Sequence, residues 1–219
     1  MTDRTSQRTW YLSSILILAT LLIWKVTLST VLAYGHYAPP DFRSDFLRGR
    51  EAYFWNGYHV AFYIHLFSGP ITLLLGTLLV STRCRRAAPS WHRRLGRVQG
   101  VLVLALLVPS GLWMAGYATG GLPATMGLGL LAIATAITIV CGWRSAAQRR
   151  LATHQRWMWR TFILLCSAVV LRVIGGAATV AQLDALWLYP VSVWASWLVP
   201  LVIFETHLRV QPALAGSVS

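Results

Sequence analysis

The stretch SWHRRLGRVQG, residues 90–100, runs without a break into VLVLALLVPSGLWMAGY, residues 101–117. The first part carries His92, Arg93, Arg94 and Arg97, and the second carries no charge at all. A helix that crosses the hydrocarbon core of a bilayer needs about 20 predominantly apolar residues. Basic and amphipathic side chains gather where such a helix leaves the lipid. The two parts therefore read as the mouth and the body of a membrane helix over Val98–Tyr117. The pattern recurs in ATHQRWMWRTF, residues 152–162, where His154 again stands two residues ahead of an arginine and an apolar run again follows.

Five further blocks have the same length and polarity, and the composition agrees with them. The chain of 219 residues is 56% hydrophobic and 11% charged, against about 25% charged for a soluble domain. The expected fold class is an all-α integral membrane protein, a six-helix transmembrane bundle over Trp10–Tyr34, Gly57–Val80, Val98–Tyr117, Ala124–Trp143, Trp159–Ala181 and Leu186–Phe204. The first block is long and lacks a small-residue cleavage site, so it reads as a retained helix and not a secretory signal. One domain, 1–219, is expected, with helices 10–34 and 186–204 flanking a core.

Arginines set the orientation. The N-terminal segment, the links after the second and fourth blocks and the tail hold fourteen, from Arg4 to Arg209, whereas the opposite side holds Arg43, Arg48 and Arg50. The positive-inside rule places both termini in the cytoplasm and the protein in the cytoplasmic (inner) membrane of a bacterium. The net charge of +13 is then a topology signal that anionic lipid headgroups neutralise. No nucleic-acid-binding module is present, so the lipid bilayer is the expected partner. The external link 35–57 balances Asp41, Asp45 and Glu51 against Arg43, Arg48 and Arg50, and its Pro-Pro and aromatic content predicts an ordered cap or a short interfacial helix. Cys84, Cys141 and Cys166 form no CxxC and no evident disulfide pair. Nucleotide-binding glycine motifs and nucleophile elbows are absent as well.

HLFSGPITLLLG from His65, WHRRLGRVQG from Trp91 and HQRWMWRTFILLCSAVVLR from His154 resemble the signature blocks of a bacterial membrane-protein family, domain of unknown function 2306. The resemblance spans roughly 56–180 and leaves helices one and six outside it or at its edge. It implies architecture and no activity. More loosely, a small bundle with intramembrane histidines is similar to the diheme transmembrane b-type cytochromes, which implies haem b as a cofactor.

Depth sorts the histidines. His92, His154 and His207 fall at the basic boundary, and His65 lies inside helix two. From His65 to Ser81 is about 24 Å along a straight helix, so one ion cannot bind both sets. Imidazole ligates metals and haem iron, and arginine grips carboxylates in a fork. The inner candidates are therefore His92 and His154 with Arg94 and Arg156, and His207 as a further metal ligand. The bland reading of the same residues is interface anchoring. A Glu205–His207 zinc-like site competes with a plain ion pair between Glu205 and an arginine, and the ion pair is preferred. A single inner haem on His92 and His154 is the better redox variant, because the outer half offers His65 no clear partner. The alternative function is non-enzymatic binding or transport of an anionic lipid, a quinone-like molecule or an organic acid.

Lys25, His65 and Arg172 form the outer candidate site. Each lies about 14 Å deep by the helical rise, where a cation costs about 2.5–3.5 kcal/mol. His65 shares a stripe with Tyr58, Phe62, Gly69, Thr72 and Gly76, and Arg172 shares one with Thr161, Leu165, Ala168, Gly175 and Thr179. The expectation is an enclosed basic pocket, bordered by both side chains, for an anionic or carbonyl-bearing ligand.

Overall fold

The computed structural model describes residues 3–44 and 46–216. Asp45 lies outside them, as do the side chains of Arg4 and Arg8. Among the described residues the fold is all-helical, and six helices are long and apolar enough to cross a membrane. The chain divides into two compact units, Met1–Glu51 and Ala52–Ser219, each described by itself.

In the first unit, α1 (Asp3–Leu32) ends in a 3-10 turn, Ala33–His36. Its span is Ile17–His36, and Lys25 on it is exposed. The link that follows is built from turns around the fully buried Leu47. Arg50 fastens it: Nε donates to the Phe46 carbonyl at 2.6 Å, and the guanidinium lies 4.7 Å from the Phe46 ring centre.

The second unit holds α2 (His59–Val80), α3 (Pro89–Ala115), α4 (Gly121–Ala147), α5 (Leu151–Val180) and α6 (Leu188–Gly216). A π-helical turn, Phe54–Tyr58, leads into α2, and it turns on Gly57 at φ +93°. The helices start and stop further out than apolarity alone predicts. α3 begins at Pro89 and α5 at Leu151, so His92 and His154 ride on the first turns of their helices and not ahead of them. Proline at the first helical position suits an amide that has no partner there. The basic turns that follow stay helical because arginine stems lie along apolar surface while their heads reach water.

α4 packs along α5, α3 and α6, and α2 packs on α3 and on the inner half of α5. α5 breaks at Cys166, and its outer half, Ser167–Val180, packs on α6. Close approach needs small residues. At Gly76 an added Cβ would stand 3.0 Å from Phe162 Cδ2 and 3.6 Å from Gln99 Nε2, so α2, α3 and α5 meet over one hydrogen atom. Gln99 is 1% exposed there, and its Nε2 donates to the Thr72 carbonyl at 2.8 Å. Thr161 on α5 donates to Thr138 on α4 at 3.0 Å.

The end of α2, the start of α3, the end of α4 and the start of α5 lie together, and they carry the arginines of both connecting links. This is the basic end of the unit. Reporter domains fused at Gln148 and at Leu183, in the links on either side of α5, are expected to report opposite compartments, the first cytoplasmic. Matching compartments from the two fusions would refute the alternation of spans.

Candidate functional site at the basic end

A cavity of about 390 Å³ opens between α2, α3, α4 and α5, and His92 and His154 both line it. His154 Nδ1 lies 2.9 Å from the Gly142 carbonyl. A carbonyl only accepts, so Nδ1 carries the proton and Nε2 keeps its lone pair. That is how a metal-ligating histidine is normally held. His92 Nδ1 is buried and has no hydrogen-bond partner among the described residues.

Cationic, apolar and polar walls follow one another along the cavity. Arg85, Arg93 and Arg97 line it together with the two imidazoles, and no aspartate or glutamate does. Trp143, Met158, Phe162 and Leu165 form its apolar wall. Gln99, about 15 Å along α3 from Pro89, contributes a buried Oε1 with no partner among the described residues. Thr72 can only accept at its carbonyl, which fixes the amide with Nε2 toward α2 and leaves Oε1 orphaned.

The arginines are not the ones that the His-x-Arg spacing suggests. Two residues turn a helix by about 200°, which puts Arg94 and Arg156 on the far side from their histidines. Both are exposed, neither lines the cavity, and Arg94 stacks over Trp91 at 5.8 Å. Arg93 and Arg97 stand about 100° and about 140° round α3 from His92 and one turn from each other, and both line the cavity.

His207 is exposed on α6 and does not line the cavity. Among the described residues no group of three or more His, Cys, Asp or Glu is arranged to hold a metal ion. Glu205 belongs to an ion pair: Arg160 Nε and Nη2 grip both carboxylate oxygens, the latter at 3.0 Å, and the guanidinium lies 4.5 Å from the Trp157 ring centre. This fork ties α5 to α6, as the ion-pair reading expects. The three cysteines are free.

The outer candidates are arranged differently. His65 is half-buried, with Nδ1 3.2 Å from Ser110 Oγ on α3. The stripe of α2 is buried at Tyr58, Phe62, Thr72 and Gly76. The stripe of α5 is buried only in its inner half, at Thr161 and Leu165, whereas Arg172, Gly175 and Thr179 are exposed beyond the break at Cys166. Arg172 Nη1 donates to the Ala168 carbonyl of its own helix at 3.0 Å. Arg172 therefore stands at the surface of the bundle, not in an enclosed pocket. Lys25 belongs to the other compact unit. A second cavity, of about 430 Å³, lies between α4 and α6 and is walled by apolar side chains and rings such as Pro123, Pro190 and Trp194. Neither cavity is lined by His65 or Arg172.

A family model described as "Predicted membrane protein (DUF2306)" matches residues 62–208. The match takes in α6, which the motif blocks had left at the edge. No curated protein and no solved structure matches the chain.

Proposed function

The chain belongs to the DUF2306 family of predicted membrane proteins, and on that footing we propose that it is a redox protein of the bacterial inner membrane, holding haem b in the basic-end cavity between His92 and His154. The observation that carries this reading is the convergence of two imidazoles from different helices on one cavity, one of them already turned by a backbone carbonyl. The residues fit the group. His154 offers Nε2 because Gly142 holds Nδ1–H, and His92 brings a second imidazole with no protein partner at Nδ1. Arg85, Arg93 and Arg97 line the same cavity and would hold the carboxylates of the porphyrin edge, a group that arginine binds in a fork. Trp143, Phe162 and Leu165 exclude water and lower the local dielectric, which strengthens those contacts. Haem b, when bound, supplies a one-electron couple.

Gln99 favours a second reading. Its orphaned Oε1 asks for a donor, and the edge of haem b offers none opposite the carboxylates. An amphiphile with an acidic head and a hydroxyl further along would satisfy both the arginines and Gln99, which makes the protein a carrier or receptor for a lipid, a quinone-like molecule or an organic acid. The visible spectrum of the purified protein decides. A Soret band that sharpens on dithionite reduction is expected, with about one haem per chain by pyridine haemochrome. A colourless, correctly inserted protein that takes up no added haemin would sink the haem reading and leave the second.

A further inference from the structure

The two imidazoles that line the basic-end cavity are not held alike. His154 Nδ1 lies 2.9 Å from the Gly142 carbonyl, so a backbone acceptor fixes its tautomer and its ring. His92 Nδ1 is buried with no hydrogen-bond partner among the described residues. The partner on the second ring nitrogen orients a ligating imidazole and raises its basicity, and loss of such a partner weakens ligation about 10–100-fold. His154 is therefore the fixed member of the pair, and His92 is the loosely held one.

The next turn of each helix repeats the difference. Four residues carry a helix about one turn, so Met158 follows His154 on α5 and Gly96 follows His92 on α3. Both line the cavity. Met158 fills its place: a Cβ added at Gly142 would stand 2.7 Å from its Sδ, so the thioether lies against the residue whose carbonyl holds His154. Gly96 leaves its place open, since a Cβ added there would meet no neighbouring heavy atom within 4 Å. Gln99, seven residues from His92, returns to the same face of α3 and brings its buried Oε1 to the cavity. Across the cavity, then, an imidazole with a fixed tautomer and a packed neighbour stands on α5, and an imidazole without a partner stands on α3 beside open space.

We infer that His92 is the exchangeable member of the pair, and that the space at Gly96 admits a small neutral molecule, a diatomic gas, in its place. The inference rests on the haem reading and deepens it, because it gives the site a ligand to respond to. One neutral donor atom replaces another, so no electron and no proton is transferred. The incoming molecule fills the place that His92 leaves, and the cavity does not come to depend on His154 alone, as it would in a His92→Ala protein. Size and charge select the class. The gap left by a missing side chain takes only a few atoms. Gln99 Oε1 can only accept, since Nε2 is committed to the Thr72 carbonyl, and it turns an anion away. Trp143 and Phe162 on the apolar wall receive a neutral molecule without the cost of burying a charge.

The test is carbon monoxide on the full chain, purified in detergent and reduced with dithionite. The Soret band of the parent is expected to shift on titration and to saturate. Gly96→Leu fills the open space and should keep its haem and its reduced spectrum while losing carbon monoxide affinity at least about tenfold, the effect of crowding a bound group with a side chain. Gly175→Leu makes the same change at an uncrowded, exposed glycine on the outer half of α5 and should bind carbon monoxide as the parent does. If Gly96→Leu is obtained without haem, Gly96→Ala takes its place in the measurement and should lose affinity several-fold. Resonance Raman spectra of the photolysed carbon monoxide form identify the histidine that stayed. The iron–histidine stretch should be that of an imidazole hydrogen-bonded at Nδ1, as His154 is. The lower frequency of an unbonded imidazole would mean that His154 had left, and would overturn the assignment. A Soret band that carbon monoxide does not move, or equal affinity in the parent and the Gly96 variants, would overturn it too and leave the haem reading standing. A colourless protein would sink both.

Discussion

His154→Ala is expected to yield a protein that inserts and accumulates normally and contains no haem. The substitution removes the one imidazole whose tautomer is already fixed, by the Gly142 carbonyl at 2.9 Å. With it gone, only one of the two imidazoles that would hold the haem remains. The structural cost of the same change is small. His154 is half-buried on the first turns of α5, alanine is the best helix former, and one neutral hydrogen bond is worth about 1 kcal/mol. Ligand loss and fold loss are therefore separable in this variant. His92→Ala should behave alike. Arg93→Ala and Arg97→Ala should lower haem retention in part, because each removes one of several charge-assisted contacts worth about 1.5–3 kcal/mol. Arg94→Ala and Arg156→Ala, on the outer faces, should change nothing. The measurement is haem per chain by pyridine haemochrome, beside size-exclusion profiles and melting in detergent. Full haem content with an unaltered low-spin spectrum in His154→Ala would remove His154 from the ligand set. Poor accumulation of His154→Ala with haem retained in the surviving protein would return the histidine to interface anchoring.

The sequence carried the membrane spans well because the bilayer imposes one dominant requirement, about 20 apolar residues per crossing. Span ends were less legible, since the turns from Pro89 to Arg97 are helical and basic at once, and hydropathy cannot see a helix that continues through the headgroup layer. The histidine pair was visible through its repetition. The arginines that accompany it were not, because adjacency in sequence is not adjacency on a helix. Arg94 and Arg156 fail by about half a turn, and Arg93 and Arg97 line the cavity although neither stands at a same-face offset from His92. Gln99 carried a signal too: a polar residue two turns after His92 on the same face, just where the run turns apolar. Glu205 was legible as an ion-pair partner, and Arg160 supplies that partner. The depth of Arg172 could be counted from the helical rise, but which way its face turns depends on the packing of α5 against its neighbours, which the sequence does not show.

Gly100→Val is expected to produce the largest structural effect in the bundle, and it tests whether the cavity wall is a packed surface. A Cβ at Gly100 would overlap Cζ2 and Cε2 of Trp143 and stand 2.7 Å from Cη2. An indole cannot bend away as a flexible side chain does, so either Trp143 changes rotamer or α3 and α4 separate. Both outcomes reach the site, because Trp143 lines the cavity and is bonded in sequence to Gly142, whose carbonyl orients His154. Overpacking of a tight interior costs about 1–3 kcal/mol, occasionally more, and a rigid ring places this position at the upper end. Gly100→Ala gains about 1 kcal/mol of helix propensity, which offsets part of the clash, so alanine should destabilise less than valine and not more. The rescue is specific. Trp143→Ala should be destabilising alone through the void it leaves, yet Gly100→Val with Trp143→Ala should be more stable than either additive sum, a coupling of at least about 1 kcal/mol in a double-mutant cycle. Melting in detergent gives the cycle, and His154 chemistry gives the second readout, since the double variant should recover stability without recovering full ligand retention. A Gly100→Val protein that melts with the parent would mean that the α3–α4 contact at Trp143 is not close, and that the indole does not wall the cavity as a packed surface.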